Sequence, residues 1–207
     1  MRRTELLLDL IRRIRSNWPR SQSPGLGRAA AAAAGDGARG FWKALRQVYG
    51  QIREQRCWVH KTANVLNKRP KSLRGKGHLQ DIWMAETRAD AAAAFDFSIQ
   101  AYGAIYDKAV ACLIKDRDRL LSFYDLPAAH WRHLRSTNPI ESTFATVRPG
   151  TATTKGCLSR KTALAMVFKP LLSATRKWRG LDGSNHLAEV IRGLRFEDGI
   201  KQIQTAA

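Results

Sequence analysis

Residues 35–46 read Gly-Asp-Gly-Ala-Arg-Gly-Phe-Trp-Lys-Ala-Leu-Arg, which predicts a strand end or turn at residues 35–38 and then a helix over Phe41–Tyr49. A second short apolar stretch, Gln55–His60, predicts a buried strand. Helical patterns cover most of the remaining chain, at roughly 61–68, 76–101, 104–115, 116–124, 159–180 and 186–195. Few strands among many helices indicate an α/β fold in which a small sheet carries a large helical insertion, and an all-α fold is the alternative.

The chain is strongly basic. Its 207 residues contain 36 Lys and Arg against 17 Asp and Glu, a formal charge of +19. A surplus of this size favours a polyanionic partner. Nucleic acid is the first expectation, because each cation laid on a phosphate releases a counterion. An anionic membrane surface is the second candidate and a ribosome-like RNA scaffold is the third.

Composition also bears on the compartment. The three cysteines, Cys57, Cys112 and Cys157, are widely spaced, which suits a reducing cytoplasm better than a disulfide-bonded secreted fold. The sequence has no run of 18 or more apolar residues, so we expect no transmembrane helix and no membrane partner. A hydrophobic share of 44% supplies enough material for a core.

Two isolated carboxylates stand in two basic stretches. Asp36 is the only acidic residue between Asp9 and Glu54, and Glu141 is the only one between Asp125 and Asp182. Carboxylates surrounded by cations suit a Mg²⁺ site on a surface that binds phosphates, where metal ions assist phosphoryl transfer. The structural alternatives are a turn for Asp36 and a helix cap for Glu141, in which Asn138 is the N-cap residue and Glu141 completes the capping box.

Other candidate residues also have two interpretations. Cys57 and His60 have the spacing of half a zinc site, but the sequence offers no second paired cluster, and a packed strand cysteine with a nearby histidine is the alternative. Trp131 lies among basic residues and either stacks on a base or belongs to the core. The remaining candidates are basic residues that either contact phosphates or form a solvated surface. They are Arg132, Arg135, Arg148, Lys155, Arg160 and Lys161.

Five blocks carry a resemblance to a known family. They are Gly35–Arg46, Arg53–Leu66, Ile82–Asp90, Ser136–Arg148 and Thr154–Phe168. In this order and spacing they resemble the C-terminal catalytic part of Mutator-type bacterial insertion-sequence transposases, over about residues 35–200. The resemblance implies a partial ribonuclease H-like fold with a helical insertion at about 66–130, followed by a tail at 201–207. An unrelated basic RNA-associated helical protein would lack these blocks.

The resemblance also implies a mechanism. In this family two aspartates and a glutamate bind divalent metal for DNA strand cleavage and strand transfer. Asp36 matches the second aspartate and Glu141 matches the glutamate, which implies Mg²⁺ or Mn²⁺ as the cofactor. Cys57, His60 and Asn138 match signature positions, which implies a supporting role without zinc. The implied partners are double-stranded DNA and further copies of the chain, in the cytoplasm at the bacterial nucleoid.

Three features depart from the family pattern. Residues 1–34 form a divergent segment, with an amphipathic helix predicted at residues 4–15 and a low-complexity linker at 16–34 that ends in the tract Ala29–Ala34. No residue matches the family's first aspartate, so we expect a truncated copy that is inactive on its own. The alternative is a non-enzymatic DNA-binding remnant that interferes with intact transposase. Pro170 predicts a kink or break in the last long helix near Lys169.

Overall fold

A computed structural model describes residues 32–49, 52–70, 77–138, 141–142, 145, 148, 159–175 and 180–203. The chain divides into two compact units. One comprises Met1–Ser136 with Gly183–Ala207, and the other comprises Thr137–Asp182. The predicted helix at residues 4–15 lies outside the described residues, and so do Lys155 and Cys157.

The first unit begins with a parallel strand–helix–strand motif. Strand β1 (Ala32–Gly35) and strand β2 (Arg53–Arg56) are joined by helix α1 (Arg39–Tyr49). The strands pair in parallel from Ala32 opposite Arg53 to Gly35 opposite Arg56. Helix α1 covers this pair with Trp42, Ala44 and Leu45, which are buried. Both strands therefore end at the same edge, where the chain runs into Asp36 and Cys57.

Two predictions for this motif need correction. The alanine tract, predicted to be a linker without structure, supplies Ala32, Ala33 and Ala34 to β1. Alanine has little intrinsic preference for strands, and this strand exists because it pairs with β2 and packs beneath α1. The strand predicted at Gln55–His60 ends at Arg56, because the chain turns into a helix at Trp58.

A helical region follows β2. Its helices are α2 (Trp58–Leu66), α3 (Gly77–Met84), α4 (Arg88–Tyr102), α5 (Asp107–Ile114), α6 (Arg117–Leu120) and α7 (Trp131–Leu134), with short 3-10 helices at Ser122–Asp125 and Ala128–His130. They share one core, in which Trp58, Phe95, Leu120 and Tyr124 are almost fully buried. A single helix was predicted over 76–101, but the chain breaks after Met84, and the Thr87 side chain caps α4 by accepting from Asp90 N at 3.1 Å.

The second unit is described in part. Residues 138, 141, 142, 145 and 148 are helical, and helix α8 spans Arg160–Thr175. The sequence predicts a kink or break near Lys169. Helix α8 runs through Pro170, so the break is wrong, and the kink stays a prediction. A proline removes one intrahelical hydrogen bond, and the turns on either side keep theirs.

The C-terminal part of the first unit ends in a β-hairpin that the sequence reasoning missed. A 3-10 helix at Ser184–His186 leads into α9 (Leu187–Ile191), which is shorter than the helix predicted over 186–195. Strands β3 (Phe196–Glu197) and β4 (Ile200–Lys201) then pair in antiparallel fashion. Asp198 and Gly199 form the turn with φ of 48° and 80°, the left-handed conformation that an Asp-Gly hairpin turn requires.

Hydrogen bonds attach this hairpin to the helical region. Ala128 N donates to Gly199 O at 3.2 Å, Gly199 N donates to Tyr124 O at 3.2 Å, and Arg88 N donates to Asp198 Oδ1 at 2.7 Å. The tail was predicted to begin at residue 201, but Lys201 is the last residue of β4 and so belongs to the hairpin.

The fold is a helix-dominated α/β fold with small sheets, and the all-α alternative is wrong. Within the described parts of the chain, no helix is both long enough and apolar enough to cross a membrane.

Candidate functional site

Asp36 lies where β1 ends and the turn to α1 begins. Its side chain is exposed, and Oδ1 accepts a hydrogen bond from Ala38 N at 3.0 Å. Oδ2 has no hydrogen-bond partner among the described residues. Asp36 is therefore a turn residue, as the structural alternative holds, and it also presents a carboxylate oxygen to solvent. The carboxyl ends of parallel strands are where α/β folds commonly bind ligands.

The two glycines beside Asp36 are required by close packing. A Cβ atom on Gly35 would lie 2.7 Å from the Trp42 ring. A Cβ atom on Gly37 would lie 1.6 Å from Arg56 Nη1, and Gly37 has a φ of +93° that side chains rarely adopt. The Gly-Asp-Gly sequence thus allows the Arg56 guanidinium to lie directly against the backbone that carries Asp36.

Cys57 and His60 lie together at the start of α2. Cys57 N donates to Gly35 O at 2.9 Å, which extends the strand pairing by one bond, and Cys57 Sγ lies 3.3 Å from His60 Nδ1. Cys57 is fully buried and His60 is half-buried. Both belong to the transition from strand to helix rather than to the predicted strand. Within the described ranges, no group of three His, Cys, Asp or Glu side chains is placed to hold a metal ion.

An ion-pair cluster behind Asp36 was missed by the sequence reasoning. Asp116 Oδ2 lies 2.6 Å from Lys61 Nζ and 3.5 Å from Arg56 Nε. The side chain of Lys61 is only 3% exposed. Burial opposes the ionisation of Asp116, but the hydrogen bond from Lys61 and the charges of Lys61, Arg56 and Arg119 outweigh it and lower the pKa of Asp116. Asp116 is therefore a carboxylate that holds two cations in place.

The sequence contains one signal for this cluster. The buried face of α2 consists of residues at helical spacing, and Lys61 is the only charged member. They are Trp58, Lys61, Thr62, Val65 and Leu66. A lysine on the apolar face of a helix needs a carboxylate partner. The pattern reveals this need but does not identify Asp116, which lies 55 residues further along the chain.

Lys61 and Arg56 line an open groove of about 700 Å³, to which Gly37 also contributes. Seven basic side chains and one carboxylate, Asp116, face it. A second carboxylate, Glu54, lies on β2 and is ion-paired with Arg46 and with Arg119, the latter at 3.3 Å. The groove therefore has a strongly positive lining at its contact with the Asp36 turn.

Glu141 lies in the second unit, which is described separately. It is exposed, and Thr137 Oγ1 donates to Glu141 Oε1 at 2.7 Å. Glu141 N donates to Thr137 O at 3.0 Å, and Asn138 is already helical. The helix thus starts one residue earlier than predicted, and Asn138 is not its N-cap residue. The hydroxyl of Thr137 can hold and orient the carboxylate.

The predicted DNA-contacting residues lie in different environments. Arg132 and, in the second unit, Arg148 and Lys161 are exposed, and Arg160 begins α8. Arg135 is half-buried, and its guanidinium lies 4.7 Å from the Phe123 ring centre and 5.2 Å from that of Trp131.

Trp131 has core contacts. Its Nε1 donates to Leu126 O at 2.9 Å, and its ring packs edge-on against Phe123 and Tyr124. These contacts favour the core interpretation of Trp131 over base stacking.

Comparison with known proteins identifies the family. The sequence profile of the Mutator family of transposases matches residues 25–179. The match begins ten residues before Gly35, where the first block of the resemblance starts.

Individual relatives agree. The chain is 47% identical over 201 residues to the transposase for insertion sequence element IST2 of Acidithiobacillus ferrooxidans, covering 94% of this chain and 68% of that protein. It is 48% identical over 169 residues to the transposase for insertion sequence element IS6120 of Mycolicibacterium smegmatis, covering 81% and 52%. The chain therefore spans about two thirds of the first relative and about half of the second. The chain belongs to the Mutator family of transposases.

Proposed function

We propose that the chain acts on DNA as the transposase of an insertion element, with Asp36 and Glu141 as the carboxylates that bind Mg²⁺ or Mn²⁺ for strand cleavage and strand transfer. The observation that carries this proposal is the position of Asp36, an exposed carboxylate that follows a parallel strand and precedes Gly37, which lines a basic groove. Membership of the family supports it. The ribonuclease H-like fold, assembly into homo-oligomers and a nucleoid location are part of the same proposal.

The donor chemistry fits the metal. Mg²⁺ and Mn²⁺ prefer oxygen ligands, and Asp36 Oδ2 is exposed without a protein partner among the described residues. A bound divalent ion would supply charge stabilisation at the reacting phosphate. The chain's own residues would orient the two carboxylates that hold the ion: Ala38 N donates to one oxygen of Asp36, and Thr137 Oγ1 donates to one oxygen of Glu141.

Metal binding can be measured beside a natural reporter. The Trp42 ring packs against Gly35, next to Asp36, so a paramagnetic ion bound at Asp36 lies close to it. With fluorotryptophan in the full chain, we expect Mn²⁺ to broaden the Trp42 fluorine signal, which a Trp42→Phe variant identifies. Asp36→Asn should abolish the broadening while keeping the turn, since the amide oxygen still accepts from Ala38 N. Unchanged broadening in Asp36→Asn would contradict the metal site.

Nicking of supercoiled plasmid by the full chain in Mg²⁺ or Mn²⁺ tests catalysis. Metal-dependent nicking that disappears in Asp36→Asn and in Glu141→Gln, but not in Asp118→Asn, whose carboxylate is exposed on α6, would support catalysis by the two carboxylates and would contradict the prediction of an inactive chain. Plasmid binding without nicking at any metal concentration would support the alternative, a non-enzymatic DNA-binding protein. The same assay decides the prediction that the chain is inactive on its own.

A further inference from the structure

The groove beside Asp36 has more positive charge than its own carboxylates neutralise. Seven cations line it, and Asp116 and Glu54 contact four of them, leaving a surplus of five charges. Arg39, Lys68 and Lys115 are exposed and form no ion pair with a described carboxylate. Cations gathered along one open groove repel each other, so the arrangement is stabilised when a polyanion lies in it.

Arg56 provides an independent observation. It is only 9% exposed, and its Nε and Nη1 have no hydrogen-bond partner among the described residues. Buried donors are almost always hydrogen-bonded, and an unpaired guanidinium donor is costly. The guanidinium lies against Gly37, its Nε is 3.5 Å from Asp116 Oδ2, and all three residues line the groove. Arg56 lines the groove, so a small shift of its side chain toward a bound phosphate would give these buried donors an acceptor.

We propose that this groove binds the sugar–phosphate backbone of a DNA strand, and that Arg56 donates to the phosphate that lies nearest Asp36. The proposal rests on the proposed function, because it treats the polyanion as the DNA on which Asp36 acts. Arginine suits the position, since its planar fork can bind two phosphate oxygens at once. Lys68 and Lys115 extend the path as exposed phosphate contacts, and Asp116 is a positioning residue that acts through Arg56.

The two roles of Arg56, in folding and in phosphate binding, can be separated. Arg56→Gln removes the charge, whereas Arg56→Lys keeps the charge and loses the fork. If the guanidinium holds a phosphate, Arg56→Gln weakens DNA binding, and at low salt Arg56→Lys binds DNA more tightly than Arg56→Gln because it keeps the charge. A purely structural role would make DNA affinity follow the folded fraction in both variants, and that outcome would overturn the assignment of Arg56.

The exposed lysines allow a test that does not depend on a buried side chain. The full chain is titrated with a fluorescent 30-base-pair DNA duplex, without metal, over a series of NaCl concentrations. Lys68→Gln and Lys115→Gln should each weaken binding roughly five- to tenfold at 0.1 M NaCl. Each should also reduce the salt slope, the slope of log Kd against log [NaCl], by about one. Lys108→Gln is the matched control. Lys108 is exposed on α5, the helix that ends directly before Lys115, but it does not line the groove.

Photocrosslinking locates the DNA directly. Asn67 lines the groove and is exposed, whereas Gln100 is exposed on α4 outside it. With a benzophenone amino acid at either position, we expect the duplex to crosslink at position 67 and not at position 100. Equal crosslinking at both, or lysine variants that bind like Lys108→Gln, would overturn the groove proposal. The binding and crosslinking tests use no metal, so they are independent of the metal site. The groove proposal stands if Asp36→Asn still binds DNA in the groove, whatever its effect on nicking. The metal-binding test at Asp36 likewise keeps its meaning if the groove does not bind DNA.

Discussion

Arg56 and Arg135 are both withdrawn from solvent, and their surroundings differ in kind. Arg56 contacts Gly37 and the carboxylate of Asp116, and it lines a positive groove. Arg135 lies over the rings of Phe123 and Trp131, and burial lowers its pKa. In the first region a carboxylate holds the charge in place, whereas in the second aromatic rings cover the guanidinium; the buried Nε of each arginine has no hydrogen-bond partner among the described residues.

The comparison shows what makes an arginine available to a phosphate. Aromatic faces attract a guanidinium through their quadrupole and also shield it. Arg135 therefore stabilises the fold, but its charge is less accessible to a phosphate. The Arg135 carbonyl additionally accepts from Trp58 N at 2.9 Å, which ties this residue to the start of α2. The groove around Arg56 is therefore the better candidate for DNA contact, although sequence reasoning selected Arg135.

The largest effect is expected where the groove loses its central carboxylate. Asp116→Asn leaves Lys61 buried without a charged partner, and breaking such a pair costs about 3–5 kcal/mol of the free energy of unfolding. Urea unfolding at pH 7 measures this loss. Asp118→Asn, an exposed carboxylate two residues away, should change the free energy of unfolding by less than about 0.5 kcal/mol. Similar values for the two variants would contradict the buried ion pair.

The same substitution has a pH signature. The folded-state pKa of Asp116 lies below its unfolded value, so its stabilisation is complete above the unfolded pKa of about 3.9 and is lost as pH falls through the folded pKa. We expect the stability difference between the parent chain and Asp116→Asn to stay constant from pH 5 to 8 and to shrink below about pH 4. A difference that persisted in acid would assign the loss to packing instead of charge.

A smaller effect is expected in the aromatic region. Arg135→Ala removes two cation–π contacts and the packing of the aliphatic part of the side chain, which should cost about 2 kcal/mol of the free energy of unfolding. The salt slope of DNA binding should be unchanged, in contrast to Lys68→Gln and Lys115→Gln. A slope lowered by about one in fully folded Arg135→Ala would restore Arg135 as a DNA contact and would break the comparison.

Sequence reasoning succeeded where the information is local. Gly35, Asp36 and Gly37 indicate a turn by their residue types, and the helical periodicity that follows predicts α1 to within two residues at its start. Two local signals were present and went unused. Thr87 with Asp90 is a helix-start pattern that marks the break before α4, and Asp198-Gly199 is a hairpin turn.

The rest depends on distant partners. β1 is a strand because β2 lies beside it, and alanines carry no sign of that pairing. The groove needs Asp116, in the turn between α5 and α6, to meet Arg56 and Lys61, about sixty residues earlier in the chain. Charge counting along the sequence favoured stretches poor in acids, yet four of the seven cations of the groove, including Arg56 and Lys61, are held by carboxylates. For this reason counting passed over Arg56 and Lys61.

The smallest effect sharpens the aromatic side of the comparison. Tyr124 packs against Phe123 and Trp131, and its hydroxyl donates to Ala85 O at 2.8 Å. Tyr124→Phe keeps the rings and removes one hydrogen bond, so urea unfolding at pH 7 should show a loss of about 1 kcal/mol in the free energy of unfolding. If Arg135→Ala lowers the free energy of unfolding by the same amount in the Tyr124→Phe background, the rings, and not the hydroxyl, hold the guanidinium.

Alkaline pH provides the check on that interpretation. Burial raises the pKa of Tyr124 to about 12, above its unfolded value of about 10. The stabilising effect of the neutral hydroxyl is thus complete below pH 10 and declines as pH rises toward 12, by about 1.4 kcal/mol per pH unit. Tyr124→Phe has no such group and escapes this decline. The stability difference at pH 7 should therefore vanish close to pH 11 and reverse above it, whereas a parallel decline of both proteins would mean that the hydroxyl is open to water.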